Sequence, residues 1–229
     1  MTGGVADKSD MPARDPRPYD PAVLRSGRRA LAGIILACIA VELVLQGADH
    51  GLWGSRLWRG LSYQYGGFWA GLLHDWQSNY RGQAALMFLT YSWLHAGLGH
   101  LIGNMLGMAF LGDLVAERVG GRRLIGLYAT SAFGGAAAFG ILSHSPAPMI
   151  GASGAIFGLA GALTVWDAQD RRRQDKWNRA PLIIVGLAAL NFGTWVMQSG
   201  NLAWQAHLGG FLAGAAVTCY PRVLAKIRS

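Results

Sequence analysis

Met149-Ile-Gly-Ala-Ser-Gly-Ala-Ile-Phe-Gly-Leu-Ala-Gly-Ala-Leu-Thr-Val-Trp166 runs without one charged side chain. As an α-helix rising about 1.5 Å per residue, a stretch of this length nearly crosses the roughly 30 Å hydrocarbon core of a bilayer. Inside lipid only a helix lets a single segment satisfy its own backbone hydrogen bonds, so it reads as a membrane span. Working outward, five similar apolar blocks surround it: 30–47, 93–112, 124–142, 181–197 and 202–220. Composition agrees. Of 229 residues, 52% are hydrophobic and 14% charged, against about 25% charged in soluble domains, which excludes a disordered tail protein and an ordinary soluble domain. Gly, at 33 residues, is about twice as frequent as usual, and in membrane helices glycine lets backbones approach closely. The two cysteines, Cys38 and Cys219, each fall within an apolar block, so neither a disulfide framework nor a thiolate metal site is expected.

The net charge of +8 does not call for nucleic acid, because the basic residues sit between the blocks. Six spans put both termini on one side and divide the connecting segments into two sets. All but Arg56, Arg59 and Arg81 of the 20 Lys and Arg fall in the set that shares a side with the termini. By the positive-inside rule that side is cytoplasmic, and Arg171 to Arg173 read as part of this orientation signal rather than as a lipid site. The expected organisation is therefore a polar, disordered cytoplasmic tail over 1–29, a six-helix membrane domain over 30–221, and a short cytoplasmic tail over 222–229. No signal-peptide pattern is visible before the first block, and the composition suits a bacterial inner membrane. Residues 48–92 form an external segment with four Trp, four Tyr and few charges. Such aromatics favour the interface, which predicts short amphipathic pieces lying in the outer leaflet, the alternative being a small folded cap.

Polar side chains inside spans are costly, and each is a candidate for function. The second block offers His95, His100 and Asn104, the last two sharing one helix face four residues apart. The fourth offers Ser153 among Gly151, Gly154 and Gly158, and the sixth offers His207 followed by Gly210 and Gly214. All three blocks run inward from the outer face in the orientation above. Ser153 and His207 then both lie about 6 to 8 Å beneath that face, with His100 slightly deeper and Asn104 one turn further. A serine hydroxyl needs a base in hydrogen-bond reach, for which neutral imidazole is the usual partner. The N–H groups opening the fourth helix, with His100 and Asn104, suit a developing oxyanion. Gly154 with Gly158, and Gly210 with Gly214, are small-xxx-small pairs that let the two helices meet. Asp113, Glu117 and Asp167 lie at the cytoplasmic ends, so a Ser/His dyad oriented by packing is expected rather than an acid-supported triad. A zinc site from His95, His100 and His207 lacks a nearby carboxylate and is not expected; His95 reads instead as a support for the external segment. Glu42 in the first block has two readings, a bond to that segment or a neighbouring helix, or exposure at the interface.

These residues resemble the rhomboid family of intramembrane serine proteases. Gly151-Ala-Ser153-Gly154 with Gly158 fits its Gly-x-Ser-Gly-x-x-x-Gly pattern, and Ala206-His207 with Gly210 and Gly214 fits its Ala-His-x-x-Gly-x-x-x-Gly. His95, His100 and Asn104 fit the histidines and asparagine of its second helix. The resemblance implies an all-α, six-transmembrane-helix bundle with an interfacial segment between the first two helices. It implies Ser153 as nucleophile, His207 as base, and His100, Asn104 and the Ser153 N–H around the oxyanion, with no cofactor or metal. It also implies lipid-embedded, single-pass transmembrane substrates, reached past the fifth helix and cut near the outer face after a small residue. The chain departs from the pattern in two places. Leu86-Met87 stands where many relatives have Trp-Arg, and Phe157 where they have Tyr, which removes a phenol hydroxyl beneath His207 but keeps a ring to pack on it. Alternatives of other classes are a catalytically silent relative that binds transmembrane helices, and a small transporter, for which no charged midplane site is evident.

Overall fold

The computed structural model describes residues 20–197 and 200–219. Among them the chain is all-helical: α1 (Pro21–Asp49), α2 (Trp58–Gly66), α3 (Gln83–Thr90), α4 (Leu98–Val119), α5 (Gly121–Leu142), α6 (Ser153–Arg173), α7 (Ala180–Met197) and α8 (Trp204–Cys219). α1, α4 and α5 are long and apolar enough to cross a membrane by length and composition, and α7 is a shorter apolar helix. Together with α6 and α8 they carry the six apolar blocks and form a helical membrane bundle.

Residues 21–29, expected as part of the tail, are helical. Helix α1 starts at Pro21, where proline suits the first turn, and the Asp20 side chain accepts from the Ala22 N–H at 2.8 Å. The polar turns before residue 30 extend beyond the apolar block, yet Leu24 and Gly27 are buried. Arg28 donates to both carboxylate oxygens of Asp113 on α4, at 2.7 and 2.9 Å. Burial and ion pairing hold helical a stretch whose composition reads as tail. Residues 1–19 and 222–229 lie outside the described residues.

Arg118 reaches Asp170 at 2.7 Å, and Arg171 and Arg179 both reach Asp167, at 3.0 and 2.8 Å. Arg28–Asp113 joins α1 to α4 and Arg118–Asp170 joins α4 to α6 at the end of the bundle away from Ser153, while Arg171–Asp167 lies within α6. Pairs at the surface contribute about 0–1 kcal/mol each, so they add little to stability.

The segment over 48–92 forms short helical pieces, α2, α3 and the 3-10 turns Ala70–Leu73 and Tyr91–Trp93, and fully buried Phe68 ties it into the core of the bundle. The Phe68 ring meets Phe88, Tyr91 and Phe139 edge-on, with centroids 4.9, 6.0 and 6.0 Å away. Trp53, Trp58 and Trp76 remain exposed. Phe68 and Met149 exchange both backbone hydrogen bonds at 2.9 Å, and the Gly151 N–H donates to the Tyr91 carbonyl at 3.0 Å. The external segment thus grips the lead-in to α6.

Glu42 meets this segment. Its carboxylate is wholly buried and accepts from Arg59 of α2 at 2.9 and 3.1 Å and from Gln46 at 2.9 Å. Arg59 also donates to Asp49 at 2.6 Å, to the Tyr63 hydroxyl at 3.2 Å and to the His95 carbonyl at 3.0 Å. Burial works against the Arg59 charge, but the bonds to Glu42, Tyr63 and Asp49 outweigh it and raise its pKa above the ordinary arginine value. Removing one member of a buried pair strands the other. Glu42→Ala is expected to cost about 3 kcal/mol, the low end for such pairs because Asp49 remains. Thermal unfolding in detergent should show a midpoint about 6 to 12 °C lower.

Candidate active site

Gly151 carries φ +118°, a conformation that favours glycine. A Cβ there would lie 2.8 Å from His100 Cε1 and 2.9 Å from its Nε2. The chain therefore passes directly beneath the His100 ring before Ser153 opens α6. As the first residue of that helix, Ser153 has an N–H with no acceptor inside it.

α8 packs against α6 backbone to backbone. A Cβ on Gly210 would fall on the Gly154 carbonyl, 2.7 Å from its carbon, and one on Gly214 would fall on that of Gly158, 2.6 Å away. This approach brings His207 Nε2 to 2.8 Å from Ser153 Oγ. The Phe157 ring stacks on the imidazole, with centroids 4.2 Å apart and planes 6° from parallel. The ring at this departure from the family pattern thus keeps the packing.

His100 accepts the Ala96 N–H on Nδ1 at 3.2 Å. That bond places its proton on Nε2, the nitrogen facing Gly151. Asn104 donates one amide hydrogen to the His100 carbonyl at 2.9 Å, which leaves the other for a substrate oxygen. His95 is fully buried; its carbonyl receives Arg59 and, at 2.8 Å, the Tyr63 hydroxyl, and its ring lies edge-on to His100 at 5.3 Å. Ser153, His207, His100 and Asn104 line one cavity of about 1070 Å³, with Phe157 at its wall.

One residue was missed by sequence reasoning. Asn191 of α7 lies 2.6 Å from His207 Nδ1 through its Oδ1, so the imidazole is oriented by an amide as well as by packing. A signal existed. Asn191 sits six residues before the end of the fifth block, about 9 Å below the outer face at helical rise, the same layer as the other polar groups.

The fold and site define a helical membrane protein with a serine and a histidine from different helices in hydrogen-bond contact. A profile of the Rhomboid domain matches residues 82–222, and the chain belongs to that family. It is similar to RHOMBOID-like protein 1 of Arabidopsis thaliana, 34% identical over 130 residues covering 55% of this chain and 31% of the relative. It is also similar to RHOMBOID-like protein 6, mitochondrial, of the same plant, 32% identical over 148 residues, 61% of this chain and 45% of the relative. A third relative is rhomboid protease GluP of Bacillus subtilis, 32% identical over 126 residues, 55% of this chain and 24% of the relative. The chain spans less than half the length of each of these relatives.

Proposed function

We propose that the protein is an intramembrane serine endopeptidase that cuts single-pass transmembrane helices near the outer face of the membrane. The observation that carries this reading is the 2.8 Å contact between Ser153 Oγ and His207 Nε2. Ser153 Oγ attacks the scissile carbonyl carbon while its proton passes to His207 Nε2. His100 Nε2–H, an Asn104 amide hydrogen and the Ser153 N–H receive the oxyanion. Collapse breaks the C–N bond, and the imidazolium returns its proton to the leaving amine. Water, deprotonated by the same imidazole, then releases the acyl group from Ser153. No step requires a cofactor. The basic, ion-paired end of the bundle supports cytoplasmic termini, and the composition supports a bacterial inner membrane.

Purified protein in detergent, given a labelled transmembrane peptide with small residues near its outer end, is expected to cut it at one site, and Ser153→Ala is not. Cleavage that persists in Ser153→Ala overturns the nucleophile. Wild-type protein that binds such helices but cuts none would instead be a silent relative.

A further inference from the structure

The bond between His207 Nδ1 and Asn191 was not anticipated, and its chemistry is directional. The Asn191 atom at 2.6 Å is Oδ1, which can only accept. His207 Nδ1 must then carry the ring proton, and Nε2 is left with a lone pair toward the Ser153 hydroxyl 2.8 Å away. The opposite tautomer would present an N–H to Ser153 and could not take its proton. Phe157 stacks on the ring face, which fixes the plane of the imidazole but does not choose between its nitrogens. Asn191 supplies that choice.

We propose that Asn191 is a positioning residue for the hydrolytic reaction, holding His207 in the Nδ1–H tautomer by accepting its ring proton in a hydrogen bond while Ser153 faces Nε2. This rests on the serine endopeptidase reading of the same site. The helix that carries it adds a second aspect. No residue of α7 whose side chain is described is buried, and α7 leans chiefly on α6. The Asn191 bond is therefore a polar tie between α7 and α8 across the mouth of the cavity that both line.

The test compares wild type, Asn191→Leu and Asn191→Asp. Leucine keeps the approximate volume and removes the acceptor, whereas aspartate keeps an acceptor oxygen. Nitrogen-15 spectra of histidine-labelled protein in micelles, with the His207 signals assigned by their loss in His207→Ala, report the tautomer without any turnover. Wild type and Asn191→Asp are expected to show a protonated Nδ1, and Asn191→Leu a mixture of tautomers. On a cleavable transmembrane peptide, Asn191→Leu is expected to lower kcat about 10- to 100-fold with KM changed less than about twofold, a milder form of the loss caused by a wrong tautomer in other serine hydrolases. Asn191→Asp should recover most of that kcat. A wild-type His207 protonated on Nε2 overturns the proposal outright, whatever the variants do. So does an Asn191→Leu protein that keeps both the wild-type tautomer and kcat, or a kcat loss that aspartate does not rescue. If wild-type protein cuts no substrate while its spectrum shows the Nδ1–H form, it is the protease reading that fails, and the tautomer assignment stands.

Discussion

Replacing His207 by alanine is expected to lower turnover of a transmembrane peptide by about 10⁴-fold or more while leaving the protein folded. The size follows from the lack of a substitute. His100 lines the same cavity, but its Nδ1 is occupied by the Ala96 N–H and its Nε2 is a donor, so it cannot take the Ser153 proton. Asn191 and Asn104 have no basic nitrogen. What remains is the oxyanion environment and substrate positioning, which alone give modest acceleration. Initial rates read on gels, with a fluorophosphonate probe to report Ser153 reactivity separately, check the result. Loss of both signals with an unfolding midpoint within a few degrees of wild type is the expected pattern. Probe labelling at the wild-type rate would mean that Ser153 is activated by something else.

The second large effect is expected at Gly210, where no reacting group is removed. Gly210→Val pushes a branched side chain onto the Gly154 carbonyl, and backbone on both sides leaves no side chain to move aside. Helices α6 and α8 must part. Overpacking costs about 1 to 3 kcal/mol where neighbours can yield, and here the cost is expected at the top of that range or above. Because the same two helices carry Ser153 and His207, separation by about 1 Å is expected to reduce cleavage about 10²-fold even in molecules that remain folded. Thermal or denaturant titration in detergent measures the first effect and specific activity the second. Gly33→Ala and Gly193→Ala are the matched controls. A Cβ at either meets nothing within 4 Å, and both substitutions should be neutral or stabilise by up to about 1 kcal/mol through helix propensity.

Much of this was legible in the residues alone. Apolar blocks of membrane length marked the six long helices, and polar residues at matched depth in the second, fourth and sixth singled out His100, Asn104, Ser153 and His207. Glycine spacing anticipated the close contact of α6 with α8. The beginning of α1 was not legible, because Arg25, Arg28 and Arg29 look like tail until Asp113 on another helix is known to face Arg28. The docking of the external segment on the bundle core was hidden for a similar reason. Phe68 is one aromatic among many in sequence, and its burial depends on Phe139 of α5 and Phe88 of α3 arriving from distant positions. Asn191 was missed because the fifth block carries no motif around it, although its depth matched. Long-range partners, rather than local preference, decide all three.

The paired backbone bonds between Phe68 and Met149, with the Gly151–Tyr91 bond beside them, make the watery side of the protein a handle on its chemistry. Whatever grips the surface-facing segment tugs on the few residues that aim the serine, without having to cross any lipid. On the endopeptidase reading, a peptide or antibody fragment raised against that handle is expected to throttle hydrolysis without entering the bilayer.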